Sequence, residues 1–375
     1  MSTNEHPVQI SGNKKAGPLQ GLRVIEFAGI GPGPFACMLL SDMGAEVVRI
    51  DRPDARLGNP LDIVGRGRKT VLLDLKQPET VQQVLDLLSQ ADALVEGFRP
   101  GVMERLGLGP AEVFARNPAL VYGRMTGWGQ EGPLAQAAGH DINYIALSGA
   151  LAAIGAKGEP PVPPLNLVGD YGGGSLYLVM GMLAALLEAR TSGQGQVVDA
   201  AICDGVLSLM STNHAHTLRG LYQEQRSSNM LDGGAPYYCA YATADGHCIS
   251  LGPIEPKFFV LMCQKLELPE HLWDTQSDRS RWPMLREAIA TAVARRTRDE
   301  WCRLLEGTDV CFAPVLTLQE SAQHPHIQAR SGFVNVDGVM HTAPAPRFSR
   351  TPSAIRGTAP FTATSIAQVL ADWAQ

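Results

Sequence analysis

Side chains that could transfer protons stand at the start of three predicted helices. His140 and Asp141 belong to the segment 139–144, which precedes the apolar run IALSGALAAI, three glycines separate Asp170 from a long apolar helix, and Glu255 precedes Pro256. Proline is favoured at the first position of a helix, and the N–H groups of a helix start can stabilise an anion. An imidazole and carboxylates in such places suit chemistry that forms an enolate, in which a proton leaves a carbon and an oxyanion needs donors.

Each of these residues also has a purely structural interpretation. An acidic residue at a helix start commonly caps it and stabilises it by ~0.3–1 kcal/mol, so capping and chemistry are equally open for Asp141. His140 could be an ordinary core or surface histidine, although the neighbouring Gly139 indicates close approach to the backbone. The glycines after Asp170 favour chemistry, because a cap does not require them whereas a substrate near the backbone does.

The turn at Gly31–Ala36 resembles a nicotinamide-cofactor motif but lacks the donors that such a motif needs. It fits G-x-G-x-x-A after a predicted strand, and Asp51 follows twenty residues later. Pro32 and Pro34 have no N–H to offer a pyrophosphate. We therefore interpret the segment as a tight strand-to-helix turn with Pro34 as the first helical residue, and a nicotinamide-dependent dehydrogenase remains a minor alternative. The next residue, Arg52, suits a phosphate but equally fits an exposed surface position.

The elements that position these residues alternate between strand and helix in the first half of the chain. This order predicts a doubly wound α/β domain with a parallel sheet. The second half predicts a hairpin turning at Asp245-Gly246 and further helices. We expect a disordered tail at 1–18, a large domain at 19–230, a smaller α+β domain at 231–328 and a return segment to the large domain at 329–375. The predicted helices include residues 35–43, 78–90, 175–190, 256–265, 284–295 and 366–373.

Composition predicts an ordinary soluble enzyme. The 375 residues are 45% hydrophobic and 18% charged with a net charge of −6, which gives no basic face for nucleic acid. The longest apolar run, residues 176–187, is shorter than the roughly 20 residues that span a membrane, and no targeting signal is visible, so we expect a cytoplasmic protein. Seven scattered cysteines are expected to be reduced core residues: Cys37, Cys203, Cys239, Cys248, Cys263, Cys302 and Cys311.

From about residue 19 to 356 the sequence resembles the family III CoA-transferases, also called the CaiB/BaiF type. Within that family it is most similar to the racemase branch, which acts on 2-methylacyl-CoA thioesters in fatty acid metabolism. The matching strings are GPGPFACMLLSDMGAEVVRIDRP, LLDLK, EGFRPGVMERLGLGP, TGWGQEGP, AGHDINYIALSG, PLNLVGDYGGG, GQGQVVDA, NMLDGGAPYY, GPIEPKFF and GTDVCFAPVL.

The resemblance implies a Rossmann-like large domain, a small domain and an interlocked homodimer whose active site is shared between subunits. His140 and Asp170 would be the acid/base pair that inverts C2 through an enolate, and Glu255 would come from the second subunit. Glu255 and Asp141 would orient that pair by hydrogen bonding. The backbone N–H groups around Asp170 would bind the enolate oxygen, and no metal, flavin or nicotinamide would be required.

The resemblance also implies how the CoA portion of the substrate is held. The Gly31–Ala36 turn would form part of the CoA cleft. The expected contacts are Arg52, Leu73, Asp74, Leu75, Lys76, Arg99, Gly139, Ile142, Asn143 and Tyr144.

Two other activities remain open within this resemblance. A family III transferase would use Asp170 as a nucleophile and pass through an aspartyl-CoA thioester, but it would have no need of His140. A non-catalytic CoA-binding protein would have no reason to keep His140, Asp170 and Glu255 together. Pro253 departs from the small residue usual beside Glu255. The acyl group is not predicted, and Leu209, Met210, Met230 and Leu231 could form its apolar surface or plain core.

Overall fold

The computed structural model describes residues 17–374, so the expected tail lies almost wholly outside the described residues. The chain divides into two compact units. The first contains residues 17–145, 166–208 and 329–374, and the second contains residues 146–165 and 209–328. The second unit thus takes in 146–165 and 209–230, which we had assigned to the large domain. Arg226 explains part of this difference, because its guanidinium donates to the carbonyls of Ala152 and Ala156.

The first unit is built on a six-stranded parallel sheet in the order β3-β2-β1-β4-β5-β6. Its strands are β1 Arg23–Phe27, β2 Glu46–Asp51, β3 Arg68–Leu72, β4 Ala93–Glu96, β5 Val121–Thr126 and β6 Val197–Ala201. The strands of the sheet centre are almost entirely buried, as apolar strands of a parallel sheet covered on both faces are. The predicted α/β class is confirmed, and this strand order is the Rossmann order, in which ligands bind beyond the carboxyl ends of the strands.

Helices cover both faces of this sheet. They are α1 Pro32–Asp42, α2 Pro78–Leu88, α3 Val102–Arg105, α4 Pro110–Arg116, α5 Asp141–Leu147, a π-helix Leu167–Ser175, α6 Leu176–Ser192 and α7 Ile202–Leu209. Neighbouring residues of β5 show the two faces. Tyr122 packs in the core with α2, whereas a Cβ atom on Gly123 would lie 2.9 Å from Sδ of Met182 in α6.

The π-helix and α6 together form a long apolar helical segment. Leu167–Ser192 spans 26 residues and contains an 18-residue window with a mean hydropathy of 1.4, so by length and composition alone it could cross a membrane, and the shorter run 176–187 understates its length. Half of that window is buried inside the protein. Because α6 packs on β5 and β6, we interpret its apolar composition as that of a core helix.

The second unit is a smaller α+β unit with an antiparallel sheet in the order β7-β8-β9. The hairpin is confirmed, with Ala242 paired to Cys248 and Gly246 at φ 77°, but the third strand was not predicted. Its elements are β7 Cys239–Ala242, β8 Cys248–Leu251, β9 Phe312–Val315, α8 Ser211–Leu218, α9 Pro256–Lys265, α10 Trp282–Val293, α11 Arg298–Leu305, α12 Leu318–Gln323 and α13 Pro325–Ala329, with 3-10 turns at Leu151–Ala153, Glu270–Leu272 and Arg279–Arg281.

The last segment adds a two-stranded antiparallel sheet and one helix to the first unit. These are β10 Phe333–Val336, β11 Val339–Thr342 and α14 Ile366–Trp373, of which only the helix was predicted. All seven cysteines are free. Only Cys37 and Cys263 are buried, so the expectation that the cysteines are core residues is wrong for the other five; Cys311 is exposed.

Candidate active site

The turn between β1 and α1 faces the carboxylate of Asp170. Gly31 has φ 68°, and a Cβ atom there would lie 3.1 Å from Oδ2 of Asp170, so both conformation and space require glycine. The helix begins at Pro32 rather than at Pro34. A pyrophosphate at this turn would lack two donors and would also meet a carboxylate, which strengthens the argument against a nicotinamide site.

Asp170 lies inside the π-helix and not just before a helix start, where the sequence predicted it, and it does not cap α6. The surrounding glycines are needed for close packing. A Cβ atom would lie 2.4 Å from Oδ2 of Asp141 at Gly169, and 2.6 Å from Cγ2 of Val206 at Gly173. A π-helix uses its N–H groups in i→i+5 bonds, and the N–H of Asp170 itself donates to Asp141. The N–H of Asp170 is therefore not available to an enolate oxygen, and for this group the expectation is wrong.

Asp141 supports Asp170 and does not cap its own helix. It is the first residue of α5, it is only 7% exposed, and its Oδ2 accepts the N–H of Asp170 at 2.7 Å. Its Oδ1 is buried without a hydrogen-bond partner among the described residues. The capping alternative is excluded, because the carboxylate is engaged by the backbone of another segment.

The carboxyl group of Asp170 is half-buried and sits between groups of both charges. Burial raises its pKa above the ordinary value, and the negative charge of Asp141 raises it further. A hydrogen bond from Asn166 and the nearby His140 act in the opposite direction. His140 itself is exposed, and its backbone N–H donates to Oδ1 of Asn143 at 3.0 Å. The first unit therefore brings His140, Asp141 and Asp170 together, as the sequence predicted.

The loop from Gly139 to Tyr144 is held by the tyrosine. The ring of Tyr144 is buried edge-on to Trp128 with centroids 4.7 Å apart, and its hydroxyl donates to the carbonyl of Gly139. A Cβ atom on Gly139 would lie 2.7 Å from this ring, which explains the glycine. Tyr144 thus has a structural contact, whereas the side chains of Ile142 and Asn143 are exposed.

The other residues expected to bind CoA follow the carboxyl ends of neighbouring strands. Arg52 and Leu73 come directly after Asp51 and Leu72, which are paired in the β2–β3 register. Arg52 is exposed, with a loose 3.8 Å ion pair to Asp54. The segment 73–76 forms a turn in which Oδ1 of Asp74 accepts the N–H of Lys76. Hydrogen bonds, chiefly from Gln77, lower the pKa of Asp74.

Arg99 is exposed in the turn that follows β4, and this turn has a buried support that the sequence analysis missed. Oε2 of Glu96 accepts the N–H of Phe98 at 2.7 Å, and the side-chain amide of Gln136 donates to the carbonyl of Pro100 at 3.1 Å. Glu96 is 3% exposed. The sequence feature that could have indicated this support is Glu96 itself, an acidic residue at the end of the apolar strand ALVE. The turns after β1 and β4 flank the point where the strand order reverses, which is the usual ligand position in this topology.

Ser175 is a second residue that sequence analysis missed. Its hydroxyl is fully buried and lies 2.7 Å from the carbonyl oxygen of Pro32 and 3.0 Å from that of Asp170. It therefore joins the turn at the start of α1 to the π-helix that carries Asp170. A serine before a helix reads as a cap in sequence, but this side chain makes no capping bond.

Glu255 belongs to the second unit and stands at the N-cap position of α9. Its side chain is exposed and makes no capping hydrogen bond, so a capping role does not explain it. The loop before it is fixed by the side-chain amide of Gln276, which donates to the carbonyls of Pro253 and Ile254 at 3.1 and 2.7 Å. Pro253 is buried in this loop, and the carboxylate of Glu255 remains free to meet a ligand. Within residues 17–374 no group of three His, Cys, Asp or Glu side chains is placed to hold a metal ion.

Comparison with known proteins gives the same family along nearly the whole chain. The model of CoA-transferase family III matches residues 19–363. The α-methylacyl-CoA racemase of Mus musculus is 44% identical over 337 residues, covering 89% of this chain and 87% of the relative, and that of Homo sapiens is 42% identical over 336 residues with the same coverage. A CAIB/BAIF family protein from Brucella suis, 22% identical, has the same fold with a TM-score of 0.81, covering 96% of this chain and 100% of that one. The chain belongs to CoA-transferase family III.

Proposed function

We propose that this protein is a racemase that inverts C2 of 2-methylacyl-CoA thioesters by removing a proton from one face of C2 and delivering a proton to the other face of the enolate intermediate. The observation that carries the proposal is the grouping of His140 with Asp170, an exposed imidazole beside a half-buried carboxyl group with a raised pKa. Identity of 42–44% to proteins named α-methylacyl-CoA racemase supports it.

Inversion at carbon needs a base on one face of the substrate and an acid on the other. His140 removes the C2 proton from one enantiomer while Asp170 delivers a proton to the opposite face, and the roles exchange for the other enantiomer. A raised pKa suits Asp170 to this exchange, because a group that holds its proton closer to neutral pH can donate it more readily there. Asp141 contributes by its charge and by fixing the N–H of Asp170.

The CoA portion of the substrate binds along the carboxyl edge of the parallel sheet. Arg52 and Arg99 have exposed guanidinium groups that suit the CoA phosphates, and the turn 73–76 and the loop 139–144 complete the contacts. Chemistry at C2 of a thioester needs no metal, flavin or nicotinamide, because the thioester carbonyl itself accepts the charge of the enolate. We propose a cytoplasmic location for the enzyme.

We further propose that the protein acts as an interlocked homodimer in which Glu255 of one subunit completes the site of the other. Glu255 is exposed, and within residues 17–374 its side chain makes no capping hydrogen bond that would account for it. Apolar side chains on one face of α6 support an association surface. Leu176, Met180 and Leu187 are 53%, 60% and 69% exposed in the single chain. Exposed apolar residues that recur along one helix face are typical of surfaces covered by a partner.

The test is incubation of the purified protein with a single enantiomer of a 2-methylacyl-CoA in deuterated water without added cofactor. We expect deuterium at C2 and loss of enantiomeric purity. Transfer of CoA to an added carboxylate, without exchange at C2, would instead identify Asp170 as the nucleophile of a transferase.

A further inference from the structure

A cluster of charged groups lies on three neighbouring strands, with Glu96 and Arg124 buried and Asp199 exposed. Glu96 ends β4, Arg124 lies on β5 and Asp199 on β6, within the register Glu96↔Arg124↔Asp199. Nε of Arg124 lies 3.5 Å from Oε1 of Glu96, and its Nη2 pairs with Glu104 of α3. Charged groups are rare in a sheet interior because burying them is costly. The cluster therefore requires an explanation beyond stability of the fold.

This cluster holds the two loops that approach the active site. The carboxylate of Glu96 accepts the N–H of Phe98 at 2.7 Å and so fixes the turn that carries Arg99. On the other side, Nη1 of Arg124 donates to Oε1 of Gln130 at 2.7 Å, in the loop that leads to His140. The loops also contact each other, because the side-chain amide of Gln136 donates to the carbonyl of Pro100.

The turn after β4 passes closely over β5, and the Glu96 carboxylate fixes its direction. A Cβ atom on Gly97 would lie 3.3 Å from the carbonyl oxygen of Met125, so the chain passes closely over the end of β5. Gly101 closes the turn at φ 82°. The bond from Phe98 N–H to a carboxylate is charge-assisted and is roughly twice as strong as a bond to a neutral acceptor. Loss of the charge would weaken the contact that sets the direction of Arg99.

We propose that Glu96 is a positioning residue whose ionised carboxylate holds the turn Phe98–Gly101 in the conformation that binds CoA, so that affinity for CoA falls when Glu96 is protonated. The inference rests on the proposed function, because it takes CoA as the ligand of Arg99. Glu96 acts through the backbone of the turn and touches neither the substrate nor the reacting carbon.

The surroundings of Glu96 bring the pKa of its carboxyl group into the physiological pH range. Burial raises the pKa of Glu96 to about 7, and the charges of Glu104 and Asp199 act in the same direction. The Phe98 N–H and Arg124 oppose this rise. With a pKa of about 7, roughly one tenth of the protein is ionised at Glu96 at pH 6 and nine tenths at pH 8. If only the ionised form binds, the apparent dissociation constant of CoA rises about tenfold from pH 8 to pH 6.

The experiment compares binding of CoA itself by calorimetry at pH 6, 7 and 8 and constant ionic strength. Glu96→Gln keeps an oxygen acceptor for Phe98 N–H but has no charge to lose, so its affinity should be lower than that of the wild type at pH 8 and should lack the wild-type pH dependence. The matched control is Glu188→Gln, the same substitution at an exposed position of α6, which should keep the wild-type pH dependence. Ionisation of CoA affects all three proteins equally and cancels in the comparison.

The outcomes separate this inference from the proposed function. If the wild type and Glu96→Gln show the same change of affinity with pH, the inference is wrong although CoA binding stands. If the wild type binds no CoA at any pH, the proposed function is wrong and the inference falls with it. Arg99→Ala should weaken binding at every pH.

A measurement on the wild type needs no variant to fold. With ¹⁵N-phenylalanine labelling, the amide signal of Phe98 should titrate with a midpoint near the pKa of Glu96, because its acceptor gains a proton. Saturating CoA should move that midpoint to lower pH. A Phe98 signal that does not change between about pH 5.5 and 8.5 would overturn the proposal.

Discussion

Replacement of Ser175 by alanine should reduce turnover more than it reduces substrate binding. The hydroxyl is fully buried and contacts the carbonyl oxygens of Pro32 and Asp170, at 2.7 and 3.0 Å. The variant removes the one hydrogen bond that this hydroxyl shares between the two carbonyl oxygens, and a net intramolecular hydrogen bond contributes about 0.5–1.5 kcal/mol. The same loss frees the π-helix to shift relative to the turn at Gly31, and a displacement of about 1 Å in an active site can cost roughly 100-fold in rate.

The assay measures kcat and KM for racemisation together with the free energy of unfolding in urea. We expect Ser175→Ala to be less stable by about 0.5–1.5 kcal/mol, with kcat reduced tenfold or more and KM changed less, because the phosphate contacts proposed at Arg52 and Arg99 do not involve this hydroxyl. The matched control is Ser192→Ala, the same substitution at the exposed C-terminal end of α6, which should alter kcat, KM and stability little. A Ser175→Ala enzyme that loses stability but keeps the full kcat would show that the hydroxyl only stabilises the fold and does not position Asp170.

Three further predictions follow from the site and its surroundings. Asp141→Asn removes a negative charge that raises the pKa of Asp170, so the ionisation of Asp170 in the pH–rate profile should move to lower pH; an unmoved profile would exclude the coupling. The pKa of Glu96 is raised from 4.5 to about 7 in the fold, so its contribution to the free energy of unfolding is complete at low pH and is lost as pH rises through 7, by up to about 3 kcal/mol. Urea unfolding of Glu96→Gln at several pH values should lack this loss. Equal slopes of stability against pH in the wild type and the variant would contradict the prediction. Asp170→Asn and Glu255→Gln chains are each expected to be inactive. When they are mixed and refolded, partial activity should return if each active site is shared between two subunits, whereas inactive mixed dimers would place each site within one chain.

Local signals in the sequence were sufficient for several elements. The helix Pro256–Lys265 was predicted with its observed bounds, because proline at the first helical position and a polar residue before it mark a helix start. The same holds for Ile366–Trp373, where Ser365 accepts the N–H of Gln368. The grouping of His140, Asp141 and Asp170 was also expected, though from resemblance to a family and not from spacing.

What the sequence did not reveal depends on contacts between distant segments. The glycines around Asp170 suggested room for a substrate, but they allow Asp141 and α7 to approach a π-helix. That geometry arises only when residues about 30 positions apart meet, as in the bond from Asp170 N–H to Asp141. Ser175 and Glu96 were missed for the same reason, since a serine before a helix and an acid at a strand end carry no sign of the carbonyl or N–H that each contacts.

The exchange of the C2 proton from each enantiomer separately tests the central claim most directly. The wild type should incorporate deuterium from the solvent at C2 of either enantiomer of a 2-methylacyl-CoA, because His140 and Asp170 each exchange a proton at one face of C2. His140→Ala should lose exchange from at least one enantiomer while CoA binding stays nearly unchanged. Loss of CoA binding with exchange retained from both enantiomers would contradict the role of His140 and the two-base mechanism with it.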